Sequence, residues 1–240
     1  MGRPLYVETL IRADIGLIWS RTQDPGAHGR WDLRFTRIDP LPPDDGPARF
    51  RYTLRVLPGL VVAGTGTTVG ERVRADGTRT SALRFASTDP RSLIRDGAGY
   101  WRYVPTGAEV RRADPGAVRF LTGYDYRPGW GRFGALADRV FRPWLGWATA
   151  WSFDRLRLWL ERGISPRRAL LQGLAEVAVR AGGAIAALAW GPWWLAAIVV
   201  VVAVLAPPAP TTPAGRRCRR RPPDRFSGRS PSTLDTLGAP

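Results

Sequence analysis

The sequence predicts an α+β domain, a transmembrane segment after it and a disordered tail. Three observations carry this reading. Residues 35–127 break into short alternating stretches separated by Gly, Pro and Asp, the pattern of antiparallel strands. Beyond Gly129 the apolar residues switch to spacings of three, four and seven, the pattern of a long amphipathic helix. Residues 181–215 then carry no charged side chain, and residues 184–206 are almost wholly apolar. About 20 apolar residues suffice to cross a bilayer as a helix.

Residues 5–13 alternate like a strand. Asp14 is placed to cap a short helix holding Ile15, Ile18 and Trp19. Asp24-Pro25-Gly26 breaks it, and a second short helix or turn carries His28 and Trp31. A strand at 35–38 and a loop at 40–47 follow. In residues 48–57, Phe50, Tyr52, Leu54 and Val56 share one face, while Arg49, Arg51, Thr53 and Arg55 share the other. Pro58-Gly59 turns the chain into residues 60–74, rich in Val and Thr. Asp76-Gly77 is a favoured hairpin turn, with 79–87 as the return strand. Residues 94–104 and 117–127 are the last strands, with a turn at 113–116. The total is about seven strands, close enough in sequence for an antiparallel meander.

The helix that follows places Phe133, Leu136, Val140, Trp144, Trp147, Trp151 and Leu158 along one stripe. Pro143 is expected to kink or restart it, and Gly163 to close it. Ser165-Pro166 starts a further helix, in which Glu176 and Arg180 can pair across one turn. The expected organisation is a domain at 1–163, an amphipathic linking helix at 164–183, a transmembrane segment at 184–206 and a disordered Arg/Pro-rich tail at 207–240. A single span is the preferred path. A hairpin hinged at Gly191-Pro192 is the alternative, its second arm being short for a full crossing.

Net charge is +16, and the 36 basic residues are all arginine, which a high-GC codon composition explains. The charge is spread along the chain, against a specific nucleic-acid partner. The dense cluster, Arg216-Arg217-Cys218-Arg219-Arg220-Arg221, follows the apolar run. A polybasic patch in that place attracts anionic lipid by about 1 kcal/mol per residue. Cys218 is the single cysteine, so no disulfide can form within the chain, which suits a reducing compartment. The N-terminus lacks the apolar stretch of a secretory signal. The N-terminal domain is therefore expected in the cytoplasm, tied to a membrane.

Motifs for chemistry are sparse. His28 is the single histidine and reads as a solvated loop residue. One His and one Cys cannot build a zinc site of the usual ligands, and no carboxylate spacing suits magnesium or calcium. The glycines at 64, 66 and 70 lack the lysine and the following helix of a phosphate loop, and read as a bent or bulged strand. No metal or cofactor is expected.

A strand, two short helices, a six-strand meander and a long helix is the order of the helix-grip fold. The likeness rests on Tyr6-Val7-Glu8-Thr9, on Thr22-Gln23-Asp24-Pro25 with Trp31-Asp32 and Phe35, on residues 79–85, on Gly99-Tyr100-Trp101-Arg102-Tyr103 and on residues 147–154. Over residues 3–162 the sequence resembles the START-like (SRPBCC) superfamily, in its bacterial polyketide cyclase/dehydrase and lipid transport branch. The resemblance implies a curved sheet around the long helix with a cavity between them. It places no catalytic motif on these positions.

If one sheet face looks at the helix, Tyr52, Phe85, Trp101, Tyr103 and Tyr124 line the inner wall, and Trp147 and Trp151 oppose them. The function expected is membrane-tethered binding of a lipid-like or polyketide-like molecule, with tyrosines as polar handles. A cyclase or dehydratase using Tyr/Asp acid–base chemistry in the same cavity ranks second, and a scaffold with a filled core third. The partners expected are a hydrophobic small molecule and membrane lipid. Nothing in the sequence sets an oligomeric state.

Overall fold

The computed structural model describes residues 4–42, 46–57, 59–106, 116–224, 227–231 and 234. The expected loop at 40–47, the turns at 58–59 and 113–116 and the end of the tail each include residues outside this set. β1 (Leu5–Arg12) leads into α1 (Ile15–Gln23) and α2 (Pro25–Trp31). Asp14 accepts the N–H groups of Gly16 and Leu17 at 2.8 and 3.1 Å. Asp24 closes α1 and caps α2 through the Gly26 N–H at 2.9 Å. Pro25 sits in the first turn of α2, where its missing N–H costs nothing.

Six strands follow: β2 (Arg37–Pro40), β3 (Arg49–Leu57), β4 (Leu60–Val73), β5 (Arg79–Ala86), β6 (Ile94–Pro105) and β7 (Ala117–Pro128). They form the expected meander, and β1 joins it by pairing with β7, giving the order β1-β7-β6-β5-β4-β3-β2, antiparallel throughout. The expected bulge in the glycine-rich strand falls between Thr68 and Gly70. Gly64 and Gly66 have a second role. They lie opposite Tyr52 and Phe50, and a Cβ at either would overlap the facing ring.

α3 (Gly131–Arg162) is one helix that continues through Pro143 and ends at Gly163, whose φ of 65° suits a residue without a Cβ. Its C-terminal half is seated in the core. Phe153 stacks on Phe120 of β7 at 4.4 Å, and Trp31 of α2 meets both rings edge-on. The face that meets the sheet is not the expected stripe. Phe133, Leu136, Val140, Trp144 and Trp147 are exposed, whereas Ala148, Thr149, Ser152 and Phe153 are buried. The hydroxyls of Thr149 and Ser152 donate to the carbonyls of Leu145 and Ala148, each at 2.8 Å. Leu158 of the expected stripe is buried, but so satisfied, small polar residues pack as apolar ones do, and hydropathy spacing does not find this part of the buried face.

Arg155 joins α3 to its neighbours. Its buried guanidinium donates to the carbonyls of Trp31 and Arg30 at the end of α2, and through two nitrogens to that of Pro166. α4 (Pro166–Trp190) starts there, with Ser165 accepting the Arg168 N–H at 3.3 Å.

The apolar run is not the continuous span expected over 184–206. Gly191 ends α4, Pro192 caps α5 (Trp193–Leu205), and α5 turns back along α4. Arg180 of α4 donates to the carbonyls of Ala203, Ala206 and Pro207, at 3.0, 2.8 and 2.9 Å, and pairs with Glu176. Glu176 in turn accepts from the Ala209 N–H and the Thr212 hydroxyl. The pair foreseen at 176 and 180 thus holds the far end of α5. Of the helices, α4 alone is long and apolar enough to cross a membrane, among the described residues.

Residues 207–219, expected to be disordered, lie against the domain. Asp154 of α3, with no exposed side chain, accepts the Ala214 N–H at 2.8 Å and pairs with Arg217 at 2.9 Å. Trp151 donates to the Pro213 carbonyl, and Cys218 is buried at Ala150. Arg219 and Glu8 exchange two backbone hydrogen bonds of 2.8 Å, so the tail covers the free edge of β1. A buried carboxylate needs partners, and composition alone does not show that the tail supplies them.

Candidate functional site

A cavity of about 860 Å³ lies between the sheet and the N-terminal half of α3. Small-molecule sites span roughly 300–1,000 Å³. The void follows from how α3 is held. Phe153 fixes its C-terminal half, and a polar network fixes its N-terminal half to β7. In that network the Tyr126 hydroxyl donates to Asp138 at 2.6 Å. Arg142 binds Asp138 at 2.8 Å, Asp125 at 2.7 Å and the Tyr126 carbonyl at 3.1 Å. Between these seats the helix bridges the concave sheet.

Most of the wall is apolar. Phe50, Tyr52 and Leu54 come from β3, Leu83 and Phe85 from β5, and Trp101 from β6. Phe141, Trp144 and Leu145 close the helix side. Strand alternation selects this face correctly, because side chains on a strand have a period of two. Phe120 of β7 does not line the void, being consumed by its stack on Phe153.

One end is polar, and α2 builds it. His28 is 7% exposed, not the solvated loop residue expected, because Asp24 and Pro25 start a true helix that turns its ring inward. The ring stacks on Trp31 at 5.0 Å, tilts against Trp101 at 4.8 Å and meets Phe35 edge-on. Its Nε2 lies 3.1 Å from Asp32. Arg34 grips the same carboxylate through Nε and Nη2, the latter at 2.7 Å, and its guanidinium lies 5.4 Å from the centre of the Tyr124 ring. The Tyr124 and Thr149 hydroxyls are 2.8 Å apart. Burial opposes ionisation of Asp32, but the Arg34 charge and the hydrogen bonds from His28 and Arg34 outweigh it and hold the carboxyl below the usual range. Burial likewise opposes the Arg34 cation, and Asp32 more than restores it. Among the described residues, no cluster of His, Cys, Asp and Glu could hold a metal ion.

The structure brings Tyr52, Phe85, Trp101 and Tyr124 together on the cavity wall. Tyr103, Trp147 and Trp151 lie elsewhere. Tyr103 is fully buried one layer deeper, its hydroxyl held by Thr22 at 2.6 Å and Gln23 at 3.0 Å. Trp147 and Trp151 stack on each other on the opposite side of α3 and receive the tail at Gly215 and Pro213. Helix rotation is the reason: the face carrying Leu145 and Thr149 looks at the sheet. Sequence reasoning missed Asp32 and Arg34. The four-residue spacing of His28 and Asp32 was the available signal, and it requires α2 to be recognised as a helix.

No family model matches the sequence. A Bacillus subtilis protein described as "Uncharacterized membrane protein YndG" is 43% identical over 179 residues, covering 73% of this chain and 63% of that protein. The chain thus spans less than two thirds of that relative's length. Among solved structures, a STAR-related lipid transfer protein from Xanthomonas axonopodis superposes with a TM-score of 0.50 at 16% identity, over 67% of this chain and 86% of that one. The chain has the START-like fold. An aromatase/cyclase from Streptomyces sp. R1128 matches at a TM-score of 0.43 and 16% identity, over 65% of this chain and 96% of that one. Against the START-like fold, the α4–α5 hairpin and the docked tail are additions that follow the long helix.

Burial raises the pKa of all six tyrosines, pushing Tyr52 up to about 12. A raised folded pKa stabilises the fold below the unfolded value near 10, and that support is lost as pH rises toward the folded value. Ultraviolet titration should therefore show less tyrosinate at about pH 10.5 in the native chain than in the same chain unfolded. In denaturant the midpoint should return to about 10. An ordinary midpoint in the native chain would contradict the buried placement of these rings.

Proposed function

We propose that this chain binds a hydrophobic small molecule, lipid-like or polyketide-like, in the cavity under α3, while its C-terminal helices hold it at the cytoplasmic face of a membrane. The observation that carries the reading is an apolar void of ligand size kept open by α3 being seated at both ends. Apolar wall facing water costs about 25 cal/mol per Å², and a hydrophobic occupant removes that cost. The polar end at His28, Arg34 and Tyr124 would orient one head of the ligand.

The face of α3 beside the cavity supports supply from lipid. Phe133, Leu136, Val140 and Trp144 are 81, 62, 76 and 50% exposed, and Val140 and Trp144 also line the void. A patch of this kind marks an interaction surface. A ligand leaving lipid beside it would not have to cross water. The likeness in fold to a lipid transfer protein agrees with this reading, as does the membrane description of the Bacillus relative. The arginines near the ends of the hairpin favour the cytoplasmic side, where positive charge gathers.

Titrating the full chain with a fluorescent fatty-acid probe should give saturable one-to-one binding. Ala137 faces the void from α3. Ala137→Trp should weaken binding by about tenfold, the equivalent of 1.4 kcal/mol, and leave the unfolding midpoint nearly unchanged. Equal affinity in both proteins would sink the proposal.

A second reading is proton-transfer catalysis on the bound molecule, favoured by the His28 ring in the wall with Asp32 behind it. A positioned imidazole contributes typically 10²–10⁴-fold. On this reading, conversion of a poly-β-ketone thioester by the chain should fall by about that factor in His28→Gln while probe binding persists. Undiminished conversion in that variant excludes His28 from the chemistry.

A further inference from the structure

We infer that α4 and α5 form a hairpin that enters and leaves a lipid bilayer through one face, so that the domain and the tail share that face. This rests on the membrane tether proposed above.

Both ends of the hairpin are fixed to the same body. At the entrance, Arg155 holds the Pro166 carbonyl, Ala169 is buried, and Gly173 packs against the Trp151 ring. At the exit, Asp154 takes the Ala214 N–H and Arg217, and Arg219 pairs with Glu8 of β1. A segment anchored at both ends on one domain cannot deliver its exit to the far side of a bilayer.

α4 as a whole is long enough to cross, but the part of each arm that is free of the domain is not. Helix rises 1.5 Å per residue, so about 15 Å separates Arg180 from Trp190, and about 25 Å separates Gly173 from the same tip. The hydrocarbon core is about 30 Å thick. α5 is shorter than α4, and its far end is fixed at Arg180, the last charged residue before the charge-free stretch. Glu176 and Arg180 satisfy each other and the exit carbonyls, so the charges that lie beyond Gly173 on the arms are paired at the root.

What lies beyond the root suits lipid and little else. No charged residue occurs from 181 to 215. Trp190 and Trp193 flank the Gly191-Pro192 tip at 85 and 83% exposure, and the arms present Ile185, Leu188, Val201 and Val204 outward. Backbone groups along both arms bond within their own helices, as hydrocarbon requires. Exposed arginines at 162, 167, 168 and 216 sit near the root, where anionic headgroups would meet them.

The test uses the full chain in bacterial membranes, as Cys218→Ser with one reporter cysteine at a time. The reporters are Asp76→Cys on the β4–β5 turn, Thr211→Cys in the tail and Trp193→Cys at the tip. An impermeant maleimide is applied to right-side-out and inverted vesicles. The domain and tail reporters should label in the same preparation, and the tip in neither. Tail and domain labelling in opposite preparations would overturn the hairpin, as would a tip reached from the side opposite the domain. Trypsin cleavage of the unsubstituted chain after Arg220 provides the same readout without a variant: it should occur from the domain's side. A chain absent from both vesicle preparations removes the tether itself, a distinct result from a chain that is present with its tail on the far side.

Discussion

Arg155 is the contact on which three parts of the molecule converge. Its buried guanidinium binds the last carbonyls of α2 and the first of α4 from the C-terminal half of α3. Burial lowers its pKa to about 10, against the pull of the Asp32 charge, so it remains a cation at neutral pH. A buried cation without adequate partners is costly, and four hydrogen bonds to carbonyls offset much of that cost. The geometry they enforce has two consequences. α2 is turned so that His28 faces the cavity, with Asp32 behind it. α4 leaves the domain in a fixed direction, so the hairpin is aimed rather than tethered by a loose linker.

The same seating of α3 explains how a void survives. Protein interiors pack densely, and an unsupported helix over a concave sheet would settle onto it. Here the Phe120–Phe153 stack holds one end and the Tyr126–Asp138–Arg142–Asp125 network holds the other. The network uses residues one helical turn apart on α3 and adjacent residues on β7, which fixes the rotation of the helix as well as its height. That rotation exposes Phe133, Leu136 and Val140, and sends Trp147 and Trp151 to the tail instead of the cavity.

The sheet was legible in the sequence because a strand has a period of two and its turns have a distinct chemistry. Phe50, Tyr52, Leu54, Leu83 and Phe85 face inward as their alternation predicts, and Asp76-Gly77 makes the turn expected of it. The rotation of α3 was not legible. Its buried face includes Ala148 with Thr149 and Ser152, the hydroxyls of the last two being spent within the helix, while Phe133, Leu136 and Val140 of its apolar stripe are exposed. A stripe on a helix beside a membrane can serve lipid as well as core, and periodicity does not distinguish the two. His28 was misplaced because a helix beginning Pro-Gly reads as a turn until Asp24 is seen to cap it. The docking of the first part of the tail was not legible for a related reason. Its Pro and Arg composition describes a solvated chain, yet Asp154 and the open edge of β1 give it two places to bind.

A filled core and an occupied cavity differ in one observable. Native mass spectrometry of the full chain released gently from membranes reads it directly. The wild-type chain should carry an added mass of one apolar molecule, and Ala137→Trp should lose it while remaining folded. A wild-type chain that is recovered folded and without added mass, and that also takes up none when mixed with the lipid extract of its own membrane, would contradict a ligand cavity under α3.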